Sequence, residues 1–272
     1  MPFHFWYIYA TTGSDGFLLD IVRRPTEAVA RLAVYRNGRP PRIVRRGFDV
    51  AELDGVPGEL GVRLNRIAMD ALGCRGETGG IGVDASFTLS GRSMRFVPSF
   101  VTAWFDQVPD FRSHYGALER GACGDAAYRD VPLVYSTYTL NDLAAAKWVL
   151  ISAPRFPGTD LAFEISAARI LGRWMPTAWL YFGGRERRFN PLQVRVGRAG
   201  DVENGERVFT ASIHGQGVRF DITARGDTAQ FARLDAEGAT EIQTTLFGSC
   251  RVASGDGKSY AAERTCLLEV KS

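Results

Sequence analysis

The run Pro109-Asp-Phe-Arg-Ser-His-Tyr-Gly116 gathers a carboxylate, a guanidinium, an imidazole and a phenol into one short stretch beside a strand start. His114 is the side chain there whose ordinary pKa lies near neutrality, so it can give or take a proton at physiological pH. Tyr115 can donate a hydrogen bond to a carbonyl oxygen. Side chains alternate along a strand, so the two point to opposite faces unless a bulge intervenes. The competing reading is structural, with the same groups hydrogen-bonding a loop. Two carboxylates form a second candidate. Asp20 and Glu164 take matching places in the runs Phe17-Leu-Leu-Asp-Ile21 and Leu161-Ala-Phe-Glu-Ile165. Alternation sets Phe17, Leu19 and Ile21 on one face and Asp20 on the other, with Glu164 placed likewise. The pattern favours solvent for both acids. If that face instead forms the seam between the halves, desolvation raises a carboxyl pKa, so that either acid can serve as a general acid; Glu164 is taken as the catalytic candidate.

The elements that must position these residues recur along the chain. Trp6-Tyr-Ile-Tyr-Ala10 is answered by Trp148-Val-Leu-Ile-Ser-Ala153, and Ala30-Arg-Leu-Ala-Val34 by Ala178-Trp-Leu-Tyr-Phe182. Gly121-Ala-Cys123 is answered by Gly248-Ser-Cys250. Order is kept while loop length is lost, as insertions and deletions in surface connections produce. We therefore expect an internal duplication, with domains over 1–143 and 144–272. The boundary falls in the alanine-rich piece Asp142–Lys147, which reads as one or two helical turns. A chain of 272 residues is comfortable for two such domains. Period-two runs such as Phe3 to Ala10, Gly16 to Val22 and Ser113 to Glu119 read as strands, as do Gly82 to Leu89 and Ser93 to Val97. Long helical periodicity is nearly absent. The fold class expected is all-β, two tandem antiparallel barrels or sandwiches.

Composition excludes several functions. No apolar run approaches the roughly 20 residues of a membrane span, and the N-terminal residues lack secretory-signal features, so a cytoplasmic location is expected. A net charge of +3, with its basic clusters short and scattered, gives no nucleic-acid surface. The 4 cysteines and 3 histidines show no metal-ligand spacing, and no metal is expected. Neither a Gly-x-Ser-x-Gly elbow nor a Gly-x-Gly-x-x-Gly turn is present, which disfavours serine hydrolases and dinucleotide enzymes. No cofactor is expected.

What remains is aromatic surface: 5 Trp, 9 Tyr and 17 Phe. Trp6 and Trp148 open their copies and read as structural. Trp104, Trp174 and Trp179 have no matched partner and are candidates for a ligand wall. Tyr135 and Tyr138 lie on opposite strand faces, so one of them looks inward; Tyr138 is taken as ligand-facing. Such a wall, with Tyr O–H and Trp N–H as orienting donors, suits a hydrophobic small-molecule ligand.

Phe5-Trp-Tyr-Ile-Tyr-Ala10 with Gly16-Phe-Leu-Leu19, opening the first of two consecutive up-and-down β-units, resembles the tandem lipocalin-like superfamily. Its members include carotenoid 1,2-hydratases, tocopherol cyclases and lipocalin-like Diels–Alderases. The Tyr-His-Asp-His-type motif that many carotenoid-hydratase relatives carry between the halves is missing here. The resemblance implies a cofactor-independent cyclase, hydratase or isomerase acting on a polyene, terpenoid or polyketide. An aromatic cavity would fold the substrate while a donor polarises a carbonyl or protonates a double bond. The alternatives are a non-catalytic carrier of a lipid or pigment and a structural β-module, since fold does not fix function.

Overall fold

Period-two segments rich in β-branched and aromatic residues become strands, and glycine-rich punctuation becomes hairpin turns, in this computed structural model, which describes residues 3–95, 110–140, 146–237 and 240–271. The first half supplies β1 (Phe3–Thr11), β2 (Asp15–Arg23), β3 (Ala28–Arg36), β4 (Arg39–Phe48) and the short β5 (Leu53–Gly55), β6 (Val62–Leu64) and β7 (Ile67–Met69). It continues with β8 (Gly73–Thr78), β9 (Ile81–Arg95), β10 (Asp110–Cys123) and β11 (Ala126–Leu140). The second half supplies β12 (Trp148–Ala153), β13 (Ala162–Ile170), β14 (Arg173–Phe182), β15 (Arg185–Phe189) and β16 (Val194–Glu203). Then come β17 (Glu206–Gly215), β18 (Val218–Asp227), β19 (Ala232–Glu237), β20 (Thr240–Ser254) and β21 (Ser259–Lys271). Among the described residues the helical pieces are single 3₁₀ turns at Val50–Glu52 and Thr228–Gln230. No helix among them is long and apolar enough to cross a membrane.

The first sheet runs β4-β3-β2-β1-β11-β10-β9-β8-β7-β6-β5, and the second β15-β14-β13-β12-β21-β20-β18-β17-β16 with β19 beside β20. In both, the first strand of the half pairs with its last strand, and the remaining hairpins extend outward on either side. Apart from β19, which pairs with β20 off the path, the second sheet repeats this arrangement, as expected of a duplicated all-β chain. The residues fall into two compact units, Met1–Arg36 with Pro41–Leu143, and Ala144–Ser272 with the hairpin tip Asn37–Pro40.

Each sheet curls around its own core. The first encloses Trp6, Ile8, Phe17, Leu19, Phe87 and Tyr135 among others. The second encloses Ile151, Phe163, Ile165, Phe209, Phe220 and Leu268 among others. A one-faced sheet would alternate buried and exposed positions, but all nine residues of β1 are buried. β2 and β3 are buried on both faces as well, apart from their ends. Two-sided burial explains why these strands read as near-continuous apolar runs rather than alternating ones.

Three expectations need correction. β9 is one long strand where two separate runs were expected, and its pairing with β10 is interrupted by bulges that keep the ladder going. The short strands β5 to β7 were hidden among turn signals, because three residues are too few to show a period. Trp6 and Trp148 are not equivalent: Trp6 sits in the first core, whereas in the second sheet Val149, Ile151 and Ala153 point inward and Trp148 points to the other face. The matched runs differ by one residue, and a one-residue slip reverses every side chain. The helical piece expected over Asp142–Lys147 lies mostly outside the described residues.

Candidate functional site

Strand register assembles the most unusual surface of the first sheet, on the face turned away from its core. Across β10, β11, β1, β2 and β3 one row reads Ser113, Ser136, Tyr7, Asp20, Arg31, each residue directly opposite the next. The row on one side reads Tyr115, Val134, Tyr9, Leu18, Ala33, and that on the other Phe111, Tyr138, Phe5, Val22, Val29. A polar row thus lies between two apolar and aromatic rows. All of it is buried: Asp20 is 3% exposed and Arg31 1%. Solvent was the expectation for Asp20, and the structure overturns it, because both faces of β2 are covered.

Arg31 donates from Nε to Asp20 Oδ1 at 2.8 Å and from Nη2 to the other carboxylate oxygen. Planar guanidinium and carboxylate therefore meet as a fork, the strongest form of charge-assisted hydrogen bond. Desolvating both ions costs several kcal/mol, roughly, and a well-packed apolar pair often does as well or better for stability. Along the row the Ser113 and Ser136 hydroxyls are 2.8 Å apart. Tyr138 stacks between Phe5, centroid at 4.0 Å, and Phe111, at 4.4 Å, with Tyr7 edge-on at 6.0 Å. The stack fixes the phenol's direction. Tyr115 projects from the same face, 7% exposed.

His114 faces the other way, alongside Arg112, on the side of the core. Its neighbour in the ladder is Tyr135, whose hydroxyl accepts from Gly61 N at 3.3 Å. Burial, with the Arg112 charge adding, holds the His114 pKa below its ordinary value. His4 is lowered for the same two kinds of reason, burial first and then Arg23, and its Nδ1 lies 3.0 Å from Thr139 Oγ1. Both imidazoles are therefore neutral at pH 7. The Tyr135 phenol is pushed up by burial. His114 and Tyr115 are neighbours in sequence that serve opposite faces.

In the second sheet the corresponding face carries its own polar groups. Ser152, Glu164 and Trp179 stand opposite one another across β12, β13 and β14. Glu164 is 1% exposed and accepts from Ser152 Oγ at 3.2 Å. Solvent was the expectation here too, and burial of both faces of β13 corrects it. On the same face Trp148 Nε1 donates to Glu269 Oε1 at 2.7 Å, and Lys271 Nζ donates to the Ala146 carbonyl at 2.9 Å. Trp174 does not join Trp179: it packs against the core from the opposite face of β14. An odd separation of five along one strand makes a shared wall impossible. Trp104 lies outside the described residues.

Sequence reasoning missed Arg31, Tyr7, Ser113 and Ser136. Arg31 carried a signal, as the single charge inside Ala28-Val-Ala-Arg-Leu-Ala-Val34. Among the described residues no cluster of His, Cys, Asp and Glu is placed to hold a metal ion.

A scan against protein-family models gives no match. A search of the curated proteins gives none either. Among solved structures the fold is similar to that of kievitone hydratase from Nectria haematococca, with a TM-score of 0.60 and 10% sequence identity. The likeness covers 99% of this chain and 89% of that one. The chain has a lipocalin-like, two-domain all-β fold. At this identity the likeness concerns fold.

Proposed function

We propose that this chain is a cofactor-independent enzyme that hydrates, cyclises or isomerises a hydrophobic small molecule such as a polyene, terpenoid or polyketide. The observation that carries the reading is the polar row Ser113, Ser136, Tyr7, Asp20, Arg31, set between aromatic rows on a buried sheet face. Stability alone does not call for a buried ion pair there, whereas acid–base chemistry on an apolar substrate calls for fixed polar groups in dry surroundings.

In this reading the apolar rows hold the substrate's hydrocarbon against Phe5, Phe111 and Tyr138. Tyr115 donates a hydrogen bond to a carbonyl or enol oxygen, and the Tyr138 ring, stacked between Phe5 and Phe111, lies against the hydrocarbon. The Asp20–Arg31 fork supplies a dipole that needs no reorganisation as charge develops. Glu164, on the second sheet, is a separate acid candidate, desolvated and oriented by Ser152. The similarity in fold to a protein named as a hydratase supports hydration as the first reaction to test.

The test is incubation of the purified protein with hydrophobic extracts, followed by chromatography and mass spectrometry. The proposal expects an isomer, or a product heavier by one water. A ligand that co-purifies and is always recovered unchanged would favour the carrier and overturn it.

A further inference from the structure

The hairpin joining β13 and β14 breaks two rules at one residue. Leu171 is 85% exposed, and its φ is +49°, in the left-handed region that Leu avoids. With Gly172 at φ +78° it forms a two-residue turn between the paired Ile170 and Arg173. Asn-Gly is the usual choice for that turn, so a leucine there is costly in both backbone and hydration. Met175 is also 43% exposed just beyond the tip. Leu192, in the turn after β15, is 87% exposed as well, although β15 ends opposite Ala178, short of the tip.

Cations flank this apolar tip. Arg169 and Arg173 are exposed on either side of the turn, and Arg169 Nε donates to the Gly172 carbonyl at 3.3 Å. Lys147 is exposed beside them, where its carbonyl accepts from Arg169 N. From Ile165 to Gly184 the sequence contains no Asp or Glu. A surface that is apolar at its tip and basic at its shoulders complements one with negative headgroups over hydrocarbon.

We propose that the β13–β14 hairpin is a peripheral membrane anchor, with Leu171 and Met175 entering the headgroup boundary of an anionic bilayer and Lys147, Arg169 and Arg173 meeting its headgroups. This surface is independent of the proposed chemistry, and it can be tested without a substrate.

The experiment is flotation of the full chain with phosphatidylcholine vesicles, with or without phosphatidylserine. Wild type is expected to float with the anionic vesicles only and to be released by salt. Leu171→Asn should lower the partition about tenfold or more, from the loss of one buried leucine side chain. Asn suits the left-handed conformation, so this variant should melt no lower than wild type, which separates lost anchoring from lost folding. Arg169→Gln with Arg173→Gln should weaken binding to anionic vesicles. A wild type that stays with the soluble fraction, or a Leu171→Asn variant that floats equally well, would overturn the anchor. So would a dimer that Leu171→Asn dissociates while vesicles have no effect, which would assign the tip to a second copy of the chain.

Discussion

Asp20 and Arg31 stand directly opposite each other on neighbouring strands, and the guanidinium grips both carboxylate oxygens with the pair almost wholly buried. Removing one partner breaks this buried fork. Asp20→Ala is expected to destabilise the protein by about 3–5 kcal/mol. The double replacement Asp20→Leu with Arg31→Met should recover most of that loss while turnover stays abolished. Denaturant melts set beside product formation check both halves. A double variant that is stable and fully active would reduce the pair to packing.

The two lowered histidines set a pH dependence of stability. Their folded-state pKa values lie below the ordinary 6.5, because burial and then the nearby Arg23 or Arg112 disfavour the imidazolium. The unfolded chain therefore binds protons that the folded chain refuses. Their contribution is fully present above about pH 6.5 and is lost as pH falls through the lowered folded values. Thermal melts between about pH 7 and about pH 5 should show a declining Tm. The decline should flatten in His4→Asn with His114→Asn; an unchanged slope would mean that other groups carry it.

Gly116 follows Tyr115 on β10, and a Cβ there would collide with the Thr88 carbonyl oxygen and meet Leu89 at 3.1 Å on β9. Gly116→Ala should cost about 1–3 kcal/mol through overpacking and should disturb Tyr115. Gly82 gives the control, since nothing lies within 4 Å of its added Cβ. Gly82→Ala should melt close to wild type. Comparable losses at the two positions would show that the strain is not local to β10.

Much of this could be read from residue types and spacing. Side-chain period along a strand is two, so the placement of Asp20 opposite in face to Phe17, Leu19 and Ile21 follows from sequence alone. The separation of His114 from Tyr115 follows the same way. What escaped was burial of the second face, although Phe3-His-Phe-Trp-Tyr-Ile-Tyr-Ala10 carries large apolar groups at both parities. Reading it as one-sided sent Asp20 and Glu164 to solvent. The partner of Asp20 was within reach, because the turn Arg24-Pro-Thr-Glu27 pairs Arg23 with Ala28 and thereby Asp20 with Arg31. Ser113, Ser136 and Tyr7 were not, since their row depends on pairing β1 with β11, more than a hundred residues along the chain. Non-local pairings of that kind leave no local trace.

In the proposed function, the buried tyrosine and polar face of the first sheet does the chemistry. The most direct test is the rate of substrate conversion by Tyr115→Phe against wild type, followed by mass spectrometry on the compound that wild type consumes. Loss of one proton donor at a reacting oxygen predicts a rate lower by about 10²- to 10⁴-fold with folding unchanged. A Tyr115→Phe protein that converts the compound at the wild-type rate would contradict the account and take the chemistry away from this face.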